Sequence, residues 1–267
     1  MAEIARRAFD DRRRSLVWWV LGTTIYTLMI IASFPSIRGQ DELNDILEDY
    51  PPEIIALFSG GETTFDLTSA ADYLNSQIFA LILPLLLAIL AIGFGAATIA
   101  GEEERGTLEL VMSHPVARRR IVVEKAFVLV VLVAVLAVAN YVVAFGLGRL
   151  FEIDVSLANI AASFLGQVLL GVGFGYLALA TGAFTGSRGV AIAVAAGAAG
   201  GTYLLGSLGP VVSWLEPFKW TSPFYYATGE NPLANGIAGW HVAVLASLCF
   251  AGFAAAVTLF ERRDLRG

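Results

Sequence analysis

Ser187, in the run Gly-Ser-Arg-Gly, and His241 are the two side chains that a serine-type hydrolysis would recruit. They fall at opposite ends of apolar stretches, so roughly 30 Å of hydrocarbon would separate them in a bilayer. A base must lie within hydrogen-bond reach of its nucleophile, and this pair fails that requirement. His114 and His241 also fall on opposite sides and cannot share a zinc ion. Cys249 is the single cysteine, which excludes a thiolate zinc site and an intrachain disulfide. The lysines are Lys125, after Glu124, and Lys219, after Phe218, and neither completes a Gly-Lys-Ser/Thr phosphate cradle. The sequence reads as non-catalytic, without a metal or cofactor of its own. Any uphill work draws on a partner or a gradient.

The elements that carry these residues are set by composition. The chain has 267 residues, 57% of them hydrophobic and 15% charged, with a mean hydropathy of +0.72. A soluble globule carries about 25% charged residues, so the shortage points to a polytopic membrane protein. A helix needs roughly 20 apolar residues to cross a bilayer. Six stretches qualify, at 16–34, 78–100, 124–147, 160–185, 189–209 and 240–260. The fold class is therefore all-α with six transmembrane helices, read as one domain over 1–267. The first stretch follows Arg12, Arg13 and Arg14 like a signal peptide, but it is long for one and lacks a cleavage pattern.

Six crossings leave both termini on one side. Arg6, Arg7, Arg12, Arg13, Arg14, Arg105, Arg118, Arg119, Arg120, Lys125, Arg188, Arg262, Arg263 and Arg266 fall on that side, and only Arg38, Arg149 and Lys219 on the other. The positive-inside rule then predicts cytoplasmic termini in the cell membrane. Residues 3–14 place Ile4, Ala5, Ala8 and Phe9 on one helical face, which reads as an amphipathic helix in the inner interface; a solvated basic leader is the alternative. On the outer side, Leu43, Ile46, Leu47 and Tyr50 follow helical spacing up to Pro51-Pro52, and a second patch, Ile54 to Phe58, stops at Gly60-Gly61. The last outer connection, 210–239, holds Pro210, Pro217, Pro223 and Pro232, so it is irregular, with Trp214, Trp220, Tyr225 and Tyr226 suited to the headgroup level.

Between the second and third stretches lies "GEEERGTLELVMSHPVARRR", residues 101–120. Thr107 is the N-cap candidate of a short cytoplasmic helix over 107–113, with Glu109 near its positive end. Leu108, Val111 and Met112 stand at i, i+3 and i+4 and make one apolar face. Pro115 ends the helix. Such a knob either docks a cytoplasmic protein or forms a reversal lying on the membrane.

"EEERGTLELVMSHPVARRRIVVEKAF" resembles the coupling segment of ABC-2 type permeases, the membrane subunits of one large group of ATP-binding-cassette transporters. Glu103, Gly106, Thr107, Leu108, Glu109, Pro115, Val116 and Arg118 match that pattern position by position. "TSPFYYATGENPLANG" and "DYLNSQIFALILPLLLAI" are similar to the family's final outer loop and second span. The resemblance implies a permease, an exporter by default, that pairs with a second permease subunit, identical or related. It also implies separate cytoplasmic ATPase subunits, docked through Glu103, Gly106, Thr107, Leu108, Glu109, Val111, Met112, Pro115 and Arg118. ATP and Mg are then expected on those subunits and membrane lipid around this one, with no nucleic acid involved.

Inside the spans, Thr98, Asn140, Gln167, Thr202 and Tyr203 are candidate pathway residues; helix-to-helix hydrogen bonding is the alternative for each. Gly171 and Gly175, Gly182 and Gly186, and Gly197 and Gly201 recur at four-residue spacing and suit close packing within the subunit or across a dimer. No charge lies near the middle of a predicted span, which disfavours a proton-coupled carrier. A gradient-driven carrier and a non-transporting scaffold remain the competing classes.

Overall fold

The computed structural model describes residues 2–40, 42–62, 66–108, 117–151 and 153–263, and the regular elements among them are all helical. Six helices are long and apolar enough to cross a membrane. They are α1 (Ala2–Ile37), the run Ala70–Thr98 whose main part is α2 (Ile82–Thr98), α3 (Arg118–Leu150), α4 (Leu157–Thr185), α5 (Arg188–Leu208) and α6 (Gly239–Arg262). Six crossings return the chain to the side where it began; that side is the terminal face, the other the distal face.

Three boundaries differ from the sequence expectation. The basic leader is not a separate interfacial helix, because α1 runs unbroken for 36 residues. The second crossing begins earlier, with a helix at Ala70–Leu74 and a π-helical turn at Asn75–Phe79 ahead of α2. α3 starts at Arg118, so Glu124 and Lys125 lie about two turns inside it rather than at its threshold. The tight reversal between α4 and α5 forms as expected. Gly186 adopts φ +66° to close α4, and the Ser187 side chain accepts the Val190 N–H to open α5.

The centre of the packing is the crossing of α2 and α4. A Cβ on Gly95 would stand 2.3 Å from the Gly175 carbonyl oxygen, and one on Gly175 would meet Leu129 Cδ1 at 2.8 Å and Ala91 Cβ at 2.9 Å. Only glycine lets these backbones approach so closely. α4 also packs on α3, α5 and α6, while α1 lies along α3. Polar side chains join α1 to α3: fully buried Asn140 donates to Thr23 Oγ1 at 2.9 Å and accepts from Thr27 at 2.9 Å. By contrast, Gly197, Gly200 and Gly201 on α5 face open space.

The distal face is covered by short helices at Glu42–Glu48 and Pro52–Ser59, the second closed by Gly60 at φ +82°. The last connection folds into a 3₁₀ turn at Glu216–Thr221 and helices at Pro223–Thr228 and Pro232–Asn235. Ser222 fastens it: the hydroxyl accepts the Phe224 and Tyr225 N–H groups and donates to the Thr202 carbonyl of α5 at 2.6 Å. Tyr225 and Tyr226 are buried among the protein's own aromatic rings, against Trp240 and His241. Trp214 and Trp220 stay exposed.

Gly175→Val should destabilise the fold by about 1–3 kcal/mol or more through overpacking, whereas Gly197→Val should leave the unfolding midpoint of the monomer unchanged. Denaturant titration of both variants in the same micelles checks this.

Candidate coupling site

α2 breaks at Ile99 and continues as a short helix, Ala100–Glu104, that delivers three consecutive glutamates to the terminal face. Each reaches a different span. Glu102 Oε2 lies 2.5 Å from Lys125 Nζ of α3, an ionic contact without a well-aligned hydrogen bond, while the ammonium donates to the Thr98 carbonyl at 2.5 Å. Glu103 takes both arms of Arg263, just past α6, with Nη1 to Oε2 at 2.9 Å and Nη2 to Oε1 at 2.5 Å. Glu104 accepts the Arg188 backbone N–H at 2.8 Å, at the N-terminus of α5, where the helix dipole favours an anion. A fourth carboxylate ties another pair of helices at the same face. Glu124 of α3 accepts the Ala5 N–H of α1 at 3.1 Å and pairs with Arg120 at 2.9 Å.

Burial gives these contacts their weight. The Lys125 side chain is 2% exposed, so its ammonium has no water to fall back on. Arg263 also donates to the Ala183 carbonyl of α4, and its own carbonyl accepts from Arg118 at 2.5 Å. Its guanidinium lies against Gly186, where a Cβ would sit 2.2 Å from Nη2. The 102–104 segment is thereby in direct contact with α3, with the start of α5 and with the residue just past α6. Lys125, Glu102, Glu104, Glu124 and Arg263 were not among the expected site residues. Their signal was a triple glutamate closing an apolar run, facing a Glu-Lys pair in the next run, but nothing in the spacing assigns the partners.

The expected docking residues divide. Glu103 is engaged by Arg263 and Arg118 by the Arg263 carbonyl, so both charges serve the clasp within the subunit. Gly106 adopts φ +69°, a turn that favours glycine. Thr107 does not stand ahead of a helix as its cap; it is already helical and its hydroxyl donates to the Glu102 carbonyl at 3.1 Å. Leu108 is not an exposed knob. It is 2% exposed, drawn into the main apolar core because a leucine this close to packed spans is more stable there than in water. Glu109, Val111, Met112 and Pro115 lie outside the described residues.

The candidate pathway residues serve contacts between elements. Thr98 bonds to the Phe94 carbonyl of its own helix, and its carbonyl holds Lys125. Gln167 donates to the Phe79 carbonyl at 2.8 Å, at the end of the π-helical turn, and its Oε1 has no protein partner among the described residues. Thr202 receives Ser222, and the Tyr203 hydroxyl donates to the Leu57 carbonyl of the distal cover. The contacts join Asn140 to α1, Gln167 to the entry of α2, and Thr202 and Tyr203 to the distal connections.

Six helices are long and apolar enough to cross a membrane, and residues 2–265 match the family described as ABC-2 family transporter protein. The chain belongs to the ABC-2 family of transporters. No curated protein sequence matches it. As an ABC-2 permease it is a membrane-embedded transport component, of a class that generally works with ATP-binding subunits and is not itself catalytic.

On the distal face of this permease, Asn231 holds two carboxylates together, donating to Asp72 Oδ1 at 2.8 Å and Glu62 Oε2 at 3.4 Å. Asn231 is 1% exposed and adopts φ +41°, an αL conformation that asparagine tolerates better than most residues. Burial, and secondarily the charge of Asp72, push the Glu62 carboxyl up to about 7, opposed by the Asn231 amide.

Two outcomes follow from these geometries. Glu102→Gln leaves the Lys125 ammonium buried without its counter-charge and should cost roughly 3–5 kcal/mol; adding Lys125→Met should restore most of the loss, read by denaturant titration. Because the folded pKa of Glu62 lies above its ordinary 4.5, its contribution to distal-face stability is complete below that value and is lost as pH rises through about 7. Hydrogen exchange across 52–62 should speed up between pH 6 and pH 8 beyond the intrinsic rate, and Glu62→Gln should remove that excess.

Proposed function

We propose that this ABC-2 permease is the membrane subunit of an ATP-driven exporter, with both termini in the cytoplasm. Two nucleotide-hydrolysing subunits dock beneath a pair of permeases at the connection between α2 and α3. The observation that carries the reading is the glutamate clasp. The connection resembling a coupling segment is wired within a few residues to α3, α5 and α6 through Glu102, Glu103 and Glu104. ATP-driven closure of the docked subunits shifts the Ala100–Glu104 segment, and the clasp passes that shift to three spans at once. This is the rigid-body type of switching, in which packed elements move between two arrangements. The excess of basic residues on the terminal face supports the cytoplasmic orientation, and export is the prevailing direction among permeases of this resemblance.

Docking through the connection gives the partner a lever that is already attached. The partner contacts fall on the segment beyond Leu108, because Leu108 itself is committed to the core. A scaffold would need no such attachment, since recruitment alone does not require three spans to follow one loop.

The test is a charge swap read independently of substrate. Cysteines at the distal ends of α2 and α5 are labelled in proteoliposomes containing the permease and its ATPase, with and without ATP. Glu103→Arg should abolish the nucleotide-dependent change in labelling, and Glu103→Arg with Arg263→Glu should restore it. A full nucleotide response in Glu103→Arg would remove the clasp from the mechanism. Failure of any ATPase to co-purify with the native permease would overturn the class.

A further inference from the structure

α1 leans along α3 and makes only sparse contact with the body of α2. The two helices therefore leave a cleft of about 500 Å³ between them, open to the side and lined by Trp18, Trp19, Gly22, Tyr26, Ile82 and Leu86. Its walls are almost wholly apolar. Gly22 on one wall and Gly93 farther along α2 both face empty space, so none of the described residues fills it at those points.

The cleft has a charged end. Arg12 stands one turn before Ser15 on the same face of α1, and its guanidinium lies over the Phe94 ring of α2, 5.9 Å from the centroid. Arg188 and Arg105 are close enough for their charges to act on it, against the single carboxylate of Asp11. No ion pair engages any of the three guanidinium groups among the described residues, whereas Glu102, Glu103 and Glu124 are ion-paired elsewhere and Glu104 is occupied by the Arg188 backbone. The carboxylates of Asp11 and Glu104 lie near this cluster but pair with none of its guanidinium groups, so an anion that joins the three would relieve their mutual repulsion.

We propose that this cleft is a specific site for an anionic phospholipid of the leaflet on the terminal side. The phosphate is held by Arg12, Arg105 and Arg188, and one acyl chain lies between α1 and α2. The arrangement matches the ligand from end to end. Basic groups sit at headgroup depth, Trp18 and Trp19 at the boundary suit an amphipathic environment, and the rest is hydrocarbon wall. A free phosphate would use the arginines but not the apolar cleft. A second copy of the chain would use the cleft but bring no free carboxylate from the 102–104 segment to the arginines. A lipid uses both. Because α1 is tied to α3 through Glu124, Thr23 and Thr27, an occupant of the cleft sets the separation of that pair from α2.

The test uses the purified full-length protein in micelles doped with equal amounts of phosphatidylglycerol and phosphatidylcholine of matched chains, with retained lipid counted by native mass spectrometry. The wild type should retain phosphatidylglycerol preferentially. Arg12→Gln should lower that preference roughly fivefold, the effect of about one basic residue near the headgroups, and Arg12→Lys should keep most of it. Gly22→Phe, which fills the cleft without touching the arginines, should reduce retention of both lipids at an unchanged lipid-free melting temperature. An unchanged preference in Arg12→Gln would overturn the proposal. So would displacement of phosphatidylglycerol by glycerol 3-phosphate, which marks a free-anion site. Efficient disulfide formation between copies carrying Gly22→Cys in native membranes would give the cleft to a second subunit and equally refute a lipid site.

Discussion

A carboxylate or ammonium at the edge of a hydrocarbon layer must either reach water or find an opposite charge, and in this protein the terminal ends of the spans are organised by that requirement. Lys125 is carried two turns into α3, too deep to hydrate, so Glu102 must come to it. Once Ala100–Glu104 is fixed by that pair, the helical path sends Glu103 and Glu104 toward α6 and α5. The break of α2 at Ile99 precedes this segment, and the Ile99 carbonyl accepts the N–H groups of Glu102 and Glu103. The reversal at Gly186 must also stay bare, to leave room for Arg263.

The hydrocarbon interior obeys a different rule. There is no gain from burying apolar surface when lipid is as apolar as leucine, so association rests on close contact and on hydrogen bonds. Gly95 and Gly175 supply the first at the α2–α4 crossing, and Asn140 and Gln167 supply the second at α1 and at the π-helical entry of α2. The centre of the bundle is thus tight, while α1 and α5 carry broad open faces. A tightly packed middle with a clasped terminal end and fastened distal connections is suited to moving its helices as units.

Several features were legible from residue order. Spans, the turn at Gly186-Ser187, the stops at Pro51-Pro52 and Gly60-Gly61, and the broken last connection all follow from local rules of length, proline and glycine. The match of residues 2–265 to the ABC-2 family agrees with the motif of the 101–120 connection. Less legible was which side of a residue would be used. Leu108 reads as an outward knob by spacing, yet it turns into the core; Tyr225 and Tyr226 read as headgroup anchors, yet they pack on Trp240 and His241. Spacing along a helix defines a face but not what that face meets.

The sequence by itself determined the number of crossings, the sidedness of its basic residues and the absence of a phosphate cradle in this chain, because each depends on composition within a short window. Only the tertiary structure decided that three adjacent glutamates divide among three spans, that Arg263, 160 residues from Glu103, is its partner, and that α1 leaves a cleft beside α2. Those are matters of how helices lean against one another. Pairing between residues far apart in the chain is set by the packing of whole helices, and no local pattern carries that information.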